Sequence, residues 1–158
     1  MIHYTSITYG LLTLSEVRAR ISEYMKDRNN QRYQVVIGTD SQRKNGTQTD
    51  FVTAIIVHRV GSGGIYFWHR TIDNKQRVLK QRMFEEATRS LETAHKLLET
   101  FKENGISDLD FAIHVDIGKR GPTREIVSEV VSMVRGSGFI VKTKPDSYGA
   151  SKVADRHT

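Results

Sequence analysis

The sequence predicts an α/β domain, a mixed five-stranded sheet in the spatial order 3-2-1-4-5 flanked by helices, and three observations predict it. Three apolar segments between Val35 and His69 are separated only by turn signals, the pattern of antiparallel neighbours. Two later apolar segments, one reaching Asp116 and one reaching Lys142, each follow a stretch of helical periodicity, which is how parallel strands are joined. Finally, Asp40 and Asp116 each stand where a strongly apolar run gives out, in Val35-Val36-Ile37-Gly38-Thr39-Asp40-Ser41 and Phe111-Ala112-Ile113-His114-Val115-Asp116-Ile117.

The elements follow in order. Thr13-Leu14-Ser15-Glu16 has the spacing of a capping box, and Leu14, Val17, Ile21 and Tyr24 or Met25 recur at helical spacing, so a leading helix is expected over about 13–26. The polar run Asp27 to Gln31 ends it and leads into the strand that reaches Asp40. Gln42 to Asp50, containing Asn45-Gly46, reads as a long turn before the strand Phe51 to His58. Gly61-Ser62-Gly63-Gly64 then marks a hairpin into Ile65-Tyr66-Phe67-Trp68-His69. A long helix is expected from about Lys75 to Glu103, with Met83, Ala87, Leu91, Ala94, Leu98 and Phe101 on one stripe and Gly105 closing it. After the Asp116 strand, Gly118-Lys119-Arg120-Gly121-Pro122 opens a helix carrying Ile126, Val127, Val130, Val131 and Val134. A short strand, Phe139 to Lys142, and a last helix opened by Lys144-Pro145-Asp146-Ser147 complete a single domain over 1–158.

Right-handed crossovers place the fourth strand parallel to the first and beside it, with the fifth outside. Neighbouring strands lie ~4.8 Å apart, so the carboxylates of Asp40 and Asp116 converge. In such a sheet ligands bind at the carboxyl ends of the strands, where connections diverge to either side. Two carboxylates that close repel each other. A bound cation resolves the repulsion, and oxygen-only ligands favour Mg²⁺ or Mn²⁺.

Composition narrows the classes. The chain has no cysteine, which removes disulfides, zinc-thiolate sites and thiol nucleophiles together. Its formal charge is +6, with Lys and Arg spread along the chain, which suits a phosphate-bearing partner without implying sequence recognition. No stretch approaches the ~20 apolar residues of a membrane span. Met1-Ile2-His3-Tyr4-Thr5 lacks a signal-peptide pattern, so a cytoplasmic location is expected.

Three segments, Ile37-Gly38-Thr39-Asp40-Ser41-Gln42, His114-Val115-Asp116-Ile117-Gly118 and Lys144-Pro145-Asp146-Ser147-Tyr148 with Ala154-Asp155-Arg156-His157 further on, resemble the YkuK-type bacterial group of the ribonuclease H-like superfamily. The resemblance covers the chain from about Tyr33 and takes in the leading helix. It implies two-metal phosphodiester hydrolysis, with carboxylates on the first strand, the first long helix, the fourth strand and the last helix. Residue by residue these are Asp40, a glutamate of the Glu85-Glu86 pair, Asp116 and Asp155.

Helical geometry separates the two glutamates. Successive residues advance ~100°, so Glu86 borders the stripe of Met83, Ala87 and Leu91 while Glu85 points nearly opposite. Asp146, after Pro145 and before a helix, has the place of an N-terminal cap, which leaves it as the alternative to Asp155 for the fourth carboxylate. His114 shares a strand face with Asp116 but has no second histidine placed to complete a zinc site, and His157 is a candidate for positioning a leaving group or water. Ser41, Gln42, Lys119 and Arg120 are the expected nucleic-acid contacts, the last two because a loop before a helix N-terminus can hold phosphate. Trp68, if exposed, offers a face for a nucleobase.

The reading is a Mg²⁺- or Mn²⁺-dependent nuclease in which Asp40, Glu86, Asp116 and Asp155 hold two ions ~3.5–4 Å apart and the partner is RNA, DNA or a hybrid. An actin-like or sugar-kinase ATPase is disfavoured because Ser41-Gln42 follows Asp40 in place of an Asp-x-Gly-Thr/Ser phosphate turn. The proofreading-exonuclease branch is disfavoured because position 42 is Gln rather than Glu. The nonenzymatic rival is a nucleic-acid-binding module that keeps the fold without turnover.

Overall fold

The computed structural model describes residues 2–26, 33–59, 63–105, 110–116 and 124–142. A short hairpin, β1 (Tyr4–Ser6) and β2 (Gly10–Leu12), precedes helix α1 (Leu14–Lys26). Three long strands follow, β3 (Tyr33–Lys44), β4 (Gln48–Arg59) and β5 (Gly64–Asp73). Helix α2 (Leu79–Glu103), β6 (Asp110–His114), α3 (Arg124–Gly136) and β7 (Ile140–Lys142) complete the described chain. The final helix expected from Lys144 onward, with Asp146, Asp155 and His157, lies outside the described residues.

The mixed α/β sheet is present, but it has seven strands rather than five, in the order β2-β1-β5-β4-β3-β6-β7. The correction comes from the N-terminal hairpin, which pairs antiparallel with β5 through Thr5 and Trp68. Its turn is held by the Ser6 hydroxyl, which accepts the N–H groups of Thr8 and Tyr9, both at 3.2 Å. Three-residue strands carry too few side chains for period-two alternation to show. The remaining strands run β5-β4-β3-β6-β7, with β3 antiparallel to β4 and parallel to β6.

Besides the end of β5, which runs to Asp73 rather than His69, two boundaries differ from expectation. The turn between the first two long strands is short: Lys44 pairs with Gln48, leaving only Asn45, Gly46 and Thr47, with Gly46 at φ 67°. Gln42 and Asp50 are partners within the ladder, because backbone pairing satisfies N–H and C=O groups whatever the side chains are. The long helix begins at Leu79, not Lys75. Asp73 Oδ1 accepts the Lys75 N–H at 3.2 Å, and the Val78 N–H donates to Gln81 Oε1 at 3.1 Å, which fixes the helix start. The leading helix carries the expected capping box: the Thr13 N–H donates to Glu16 Oε1 at 3.0 Å and the Glu16 N–H to Thr13 Oγ1 at 3.2 Å.

Odd-numbered residues of β3 face the helices. Val35 and Ile37 join Val57, Phe67, Phe111 and Ile113 of neighbouring strands, Val17 and Ile21 of α1, Leu97 and Phe101 of α2, and Val130 and Val134 of α3 in one buried cluster. Even-numbered positions carry the second face, where Val36 meets Ala112 and Ile56, and Ala54 meets Tyr66 and Trp68. Phe67 and Trp68 thus point to opposite faces, as alternation requires. Among the described residues no helix is long and apolar enough to cross a membrane.

Core truncation should therefore show which side carries the stability. Leu97→Ala, at a fully buried position on α2, is expected to lower unfolding free energy by ~2–5 kcal/mol. Leu11→Ala on exposed β2 should stay within about 0.5 kcal/mol, both read from urea unfolding midpoints.

Candidate active site

Arg82, Glu86 and Ser90 follow one another at four-residue intervals on α2 and all three are buried, because residues i and i+4 share a helix face. That polar row lies over Thr39 and Ser41, the next two sheet residues on the helix side of β3. Thr39 Oγ1 is 2.8 Å from Ser90 Oγ and 3.0 Å from Thr53 Oγ1. The Ser41 hydroxyl donates to Glu86 Oε2 at 2.5 Å. Arg82 donates from Nε to Ser41 Oγ at 3.1 Å and from Nη2 to the Ser41 carbonyl at 3.0 Å. Because Ser41 Oγ accepts from Arg82, its single proton is directed to Glu86.

Glu86 is only 8 % exposed, and its carboxyl is pushed up to about 7. Burial is the main cause, and the charge of Asp116 adds to it, while the Ser41 hydroxyl and the Arg82 guanidinium pull the other way. A carboxyl poised near neutrality is a group suited to acid–base work or to binding a cation.

Asp116 follows β6 by two residues. The last parallel pair is Gly38 with His114, so Asp40 and Asp116 occupy equivalent positions two residues beyond it, and they come from adjacent strands as the sequence predicts. β3 itself does not end there: Asp40 is mid-strand, paired with Val52 and 6 % exposed. Period-two alternation sets Asp40 on the face opposite Thr39 and Ser41, away from α2. Glu86 and Asp116, with Thr39, Met83, Ala87 and His114, border a small cleft of about 10 Å³, room for a single water or ion. Among the described residues no three carboxylate or imidazole groups are close enough to cage a metal ion.

The donors nonetheless suit a hard cation. Glu86 and Asp116 offer oxygen alone, and a cation between them would offset the desolvation that raises the Glu86 carboxyl; Asp40, on the other face of β3, does not border this cleft with them as the sequence reading expects. Ser41 differs from its expected role as a nucleic-acid contact. It is 1 % exposed and its hydroxyl is engaged by Arg82 and Glu86, so it positions Glu86 instead. Gln42 is exposed, at a ladder position opposite Asp50. His114 is buried and Trp68 half-buried. Lys119, Arg120 and Asp155 lie outside the described residues. Sequence reasoning missed Arg82 and Ser90, although their four-residue spacing about Glu86, interrupting the apolar stripe of α2, was the available signal.

The raised Glu86 carboxyl has a linkage consequence. Between the ordinary value of 4.5 and about 7 the folded state binds more protons at this position than the unfolded state, so its contribution to stability falls as pH rises through that window. Glu86→Gln keeps an acceptor for Ser41 and removes the titration. In chelator the variant should melt above the parent at pH 8, with the gap closing as pH falls towards 4.5; a gap that is constant with pH would contradict the assignment.

The sequence profile of the ribonuclease H-like family matches residues 16–158. The chain is also similar to the protein YkuK of Bacillus subtilis (strain 168), whose name describes it as uncharacterised, with 31 % identity over 170 aligned positions that cover 98 % of this chain and 96 % of that protein. With a profile match over most of its length and a relative matched almost end to end, the chain belongs to the ribonuclease H-like family, in the YkuK-type group.

Proposed function

We propose that the protein is a metal-dependent nuclease that hydrolyses nucleic-acid phosphodiester bonds in the cytoplasm. The observation that carries this reading is the buried Glu86 carboxyl, held beside Asp116 next to the end of the central parallel strand pair in a chain of the ribonuclease H-like family. Glu86 and Asp116, which border the cleft, are the residues that would hold a divalent ion there; Asp40, at the position of β3 equivalent to Asp116, is the proposed third carboxylate, and Asp155 the fourth, with Asp146 its alternative. Two Mg²⁺ or Mn²⁺ ions, when bound, supply a lowered pKa for an attacking water and stabilisation of the departing 3′ oxygen.

The protein's own residues do the rest. Arg82 orients Ser41, and Ser41 fixes one oxygen of Glu86, leaving the carboxylate a single preferred orientation towards the cleft. Gln42, Lys119 and Arg120 are the proposed contacts to the nucleic-acid backbone, of which RNA, DNA and hybrid are all candidates. One observation favours a non-catalytic nucleic-acid-binding module instead: the Arg82 charge and the Ser41 bond already compensate part of the Glu86 charge.

Titrating Mg²⁺ or Mn²⁺ into assays on single-stranded, duplex and hybrid substrates separates the two readings. The nuclease reading expects metal-dependent cleavage, lost in Glu86→Gln and Asp116→Asn. Ser41→Ala, which removes only the positioning bond, should weaken activity or metal affinity by roughly 10–100-fold and be partly rescued by Ser41→Thr. Asp40→Asn should leave apo melting unchanged or raised and abolish the metal-induced rise in Tm. Lower apo stability with an intact metal response would make Asp40 a structural residue.

A further inference from the structure

The first fifteen residues carry no Asp, Glu, Lys or Arg, in a chain where those types make up 27 % of the sequence. That stretch contains the hairpin of β1 and β2, and β2 stands at one end of the seven-stranded sheet, paired with β1 alone among the described residues. Of the seven large apolar side chains exposed among the described residues, four lie in it: Ile2, Ile7, Tyr9 and Leu11. Leu11 is 70 % exposed. A strand at a sheet edge presents unpaired N–H and C=O groups, and proteins that stay monomeric guard such edges with charges, proline or a covering element. At the opposite end of the sheet β7 has Lys142, whereas β2 has no charge of its own. Arg20, 4.0 Å above the Tyr9 ring, is itself paired with Glu23 at 3.4 Å.

We propose that β2 is the self-association edge of the protein, where a second copy of the chain pairs antiparallel across a twofold axis and joins the two sheets into one. A net charge of +6 makes two copies repel, so they approach most easily where neither carries charge. An isologous contact also needs a surface complementary to itself. Leu11 is the middle residue of β2. With the axis beside it, Leu11 meets its own counterpart, Gly10 meets Leu12, and Tyr9 comes opposite Thr13. The two Leu11 side chains then adjoin on the sheet face that Thr5 and Trp68 occupy, which carries that row from one copy into the next. Because the pairing uses each β2 once, it closes at two copies.

Sedimentation equilibrium over micromolar to submillimolar concentration tests the pairing in the whole chain. The parent should fit a reversible dimer of the 18.0 kDa protomer. Leu11→Lys sets like charges directly opposite each other and should weaken association by about tenfold or more, while Ile140→Lys, also exposed but on β7, stays near the parent. Circular dichroism and urea unfolding of dilute Leu11→Lys should match the parent's, which separates lost pairing from lost folding. Should Leu11→Lys unfold, a cysteine variant decides. Leu11→Cys introduces the only cysteine of the chain, and directly opposed residues lie within the Cα separation that a disulfide spans. Mild oxidation should therefore cross-link Leu11→Cys into a dimer and leave Ile140→Cys monomeric. A chain that stays monomeric throughout, which leaves the edge to a different protein, overturns the proposal. So does a dimer that a folded Leu11→Lys leaves intact, or cross-linking that is equal at the two positions.

Discussion

Side-chain alternation along β3 is the constraint on which the rest depends. Twelve consecutive residues pair with β4, so no bulge or end resets the faces. Odd positions go to the helices and even positions to the other side. Val35 and Ile37 enter the main core, and Thr39 and Ser41 continue the same row as polar residues under α2. A one-residue slip would exchange both sets at once, which would expose the core residues and separate Ser41 from Glu86.

The charges built into this frame are individually compensated. Glu86 has Ser41 and Arg82. On the opposite face Asp50, whose side chain is fully buried, is gripped by Arg70, with Nε 2.8 Å from both carboxylate oxygens and Nη2 2.7 Å from Oδ2. That pair ties β4 to β5 near the end of the sheet where Glu86 sits. His69, packed edge-on against Tyr4 at 4.8 Å, is lowered to about 4 by burial, with Arg89 and Lys96 adding to it, which favours the neutral imidazole. Glu86 is the carboxyl among these whose burial outweighs the partners that favour its charge.

Much of this was legible in the residues. The leading helix was announced by Thr13 and Glu16, the central strands by unbroken apolar runs, and the choice of Glu86 over Glu85 by angular position alone. Glu86 is buried, whereas Glu85 pairs with Arg89. The N-terminal hairpin was not legible because its strands are three residues each and their pairing depends on β5, far along the chain. The extension of β3 past Asp40 was hidden because Gln42, Arg43 and Lys44 look like loop residues, and only ladder partners in β4 make them a strand. The same blindness affected the site: apolar runs locate Asp40 and Asp116 beside one another, but the face that each side chain takes relative to α2 follows from the length of β3.

The proposed seat of a divalent cation is the cleft that Glu86 and Asp116 border. Anomalous diffraction from crystals soaked in Mn²⁺ tests it directly. An anomalous peak is expected within coordination distance of both Glu86 and Asp116. Well-ordered crystals with no peak there, or with Mn²⁺ bound only at surface carboxylates such as Glu129 or Glu99, would contradict it.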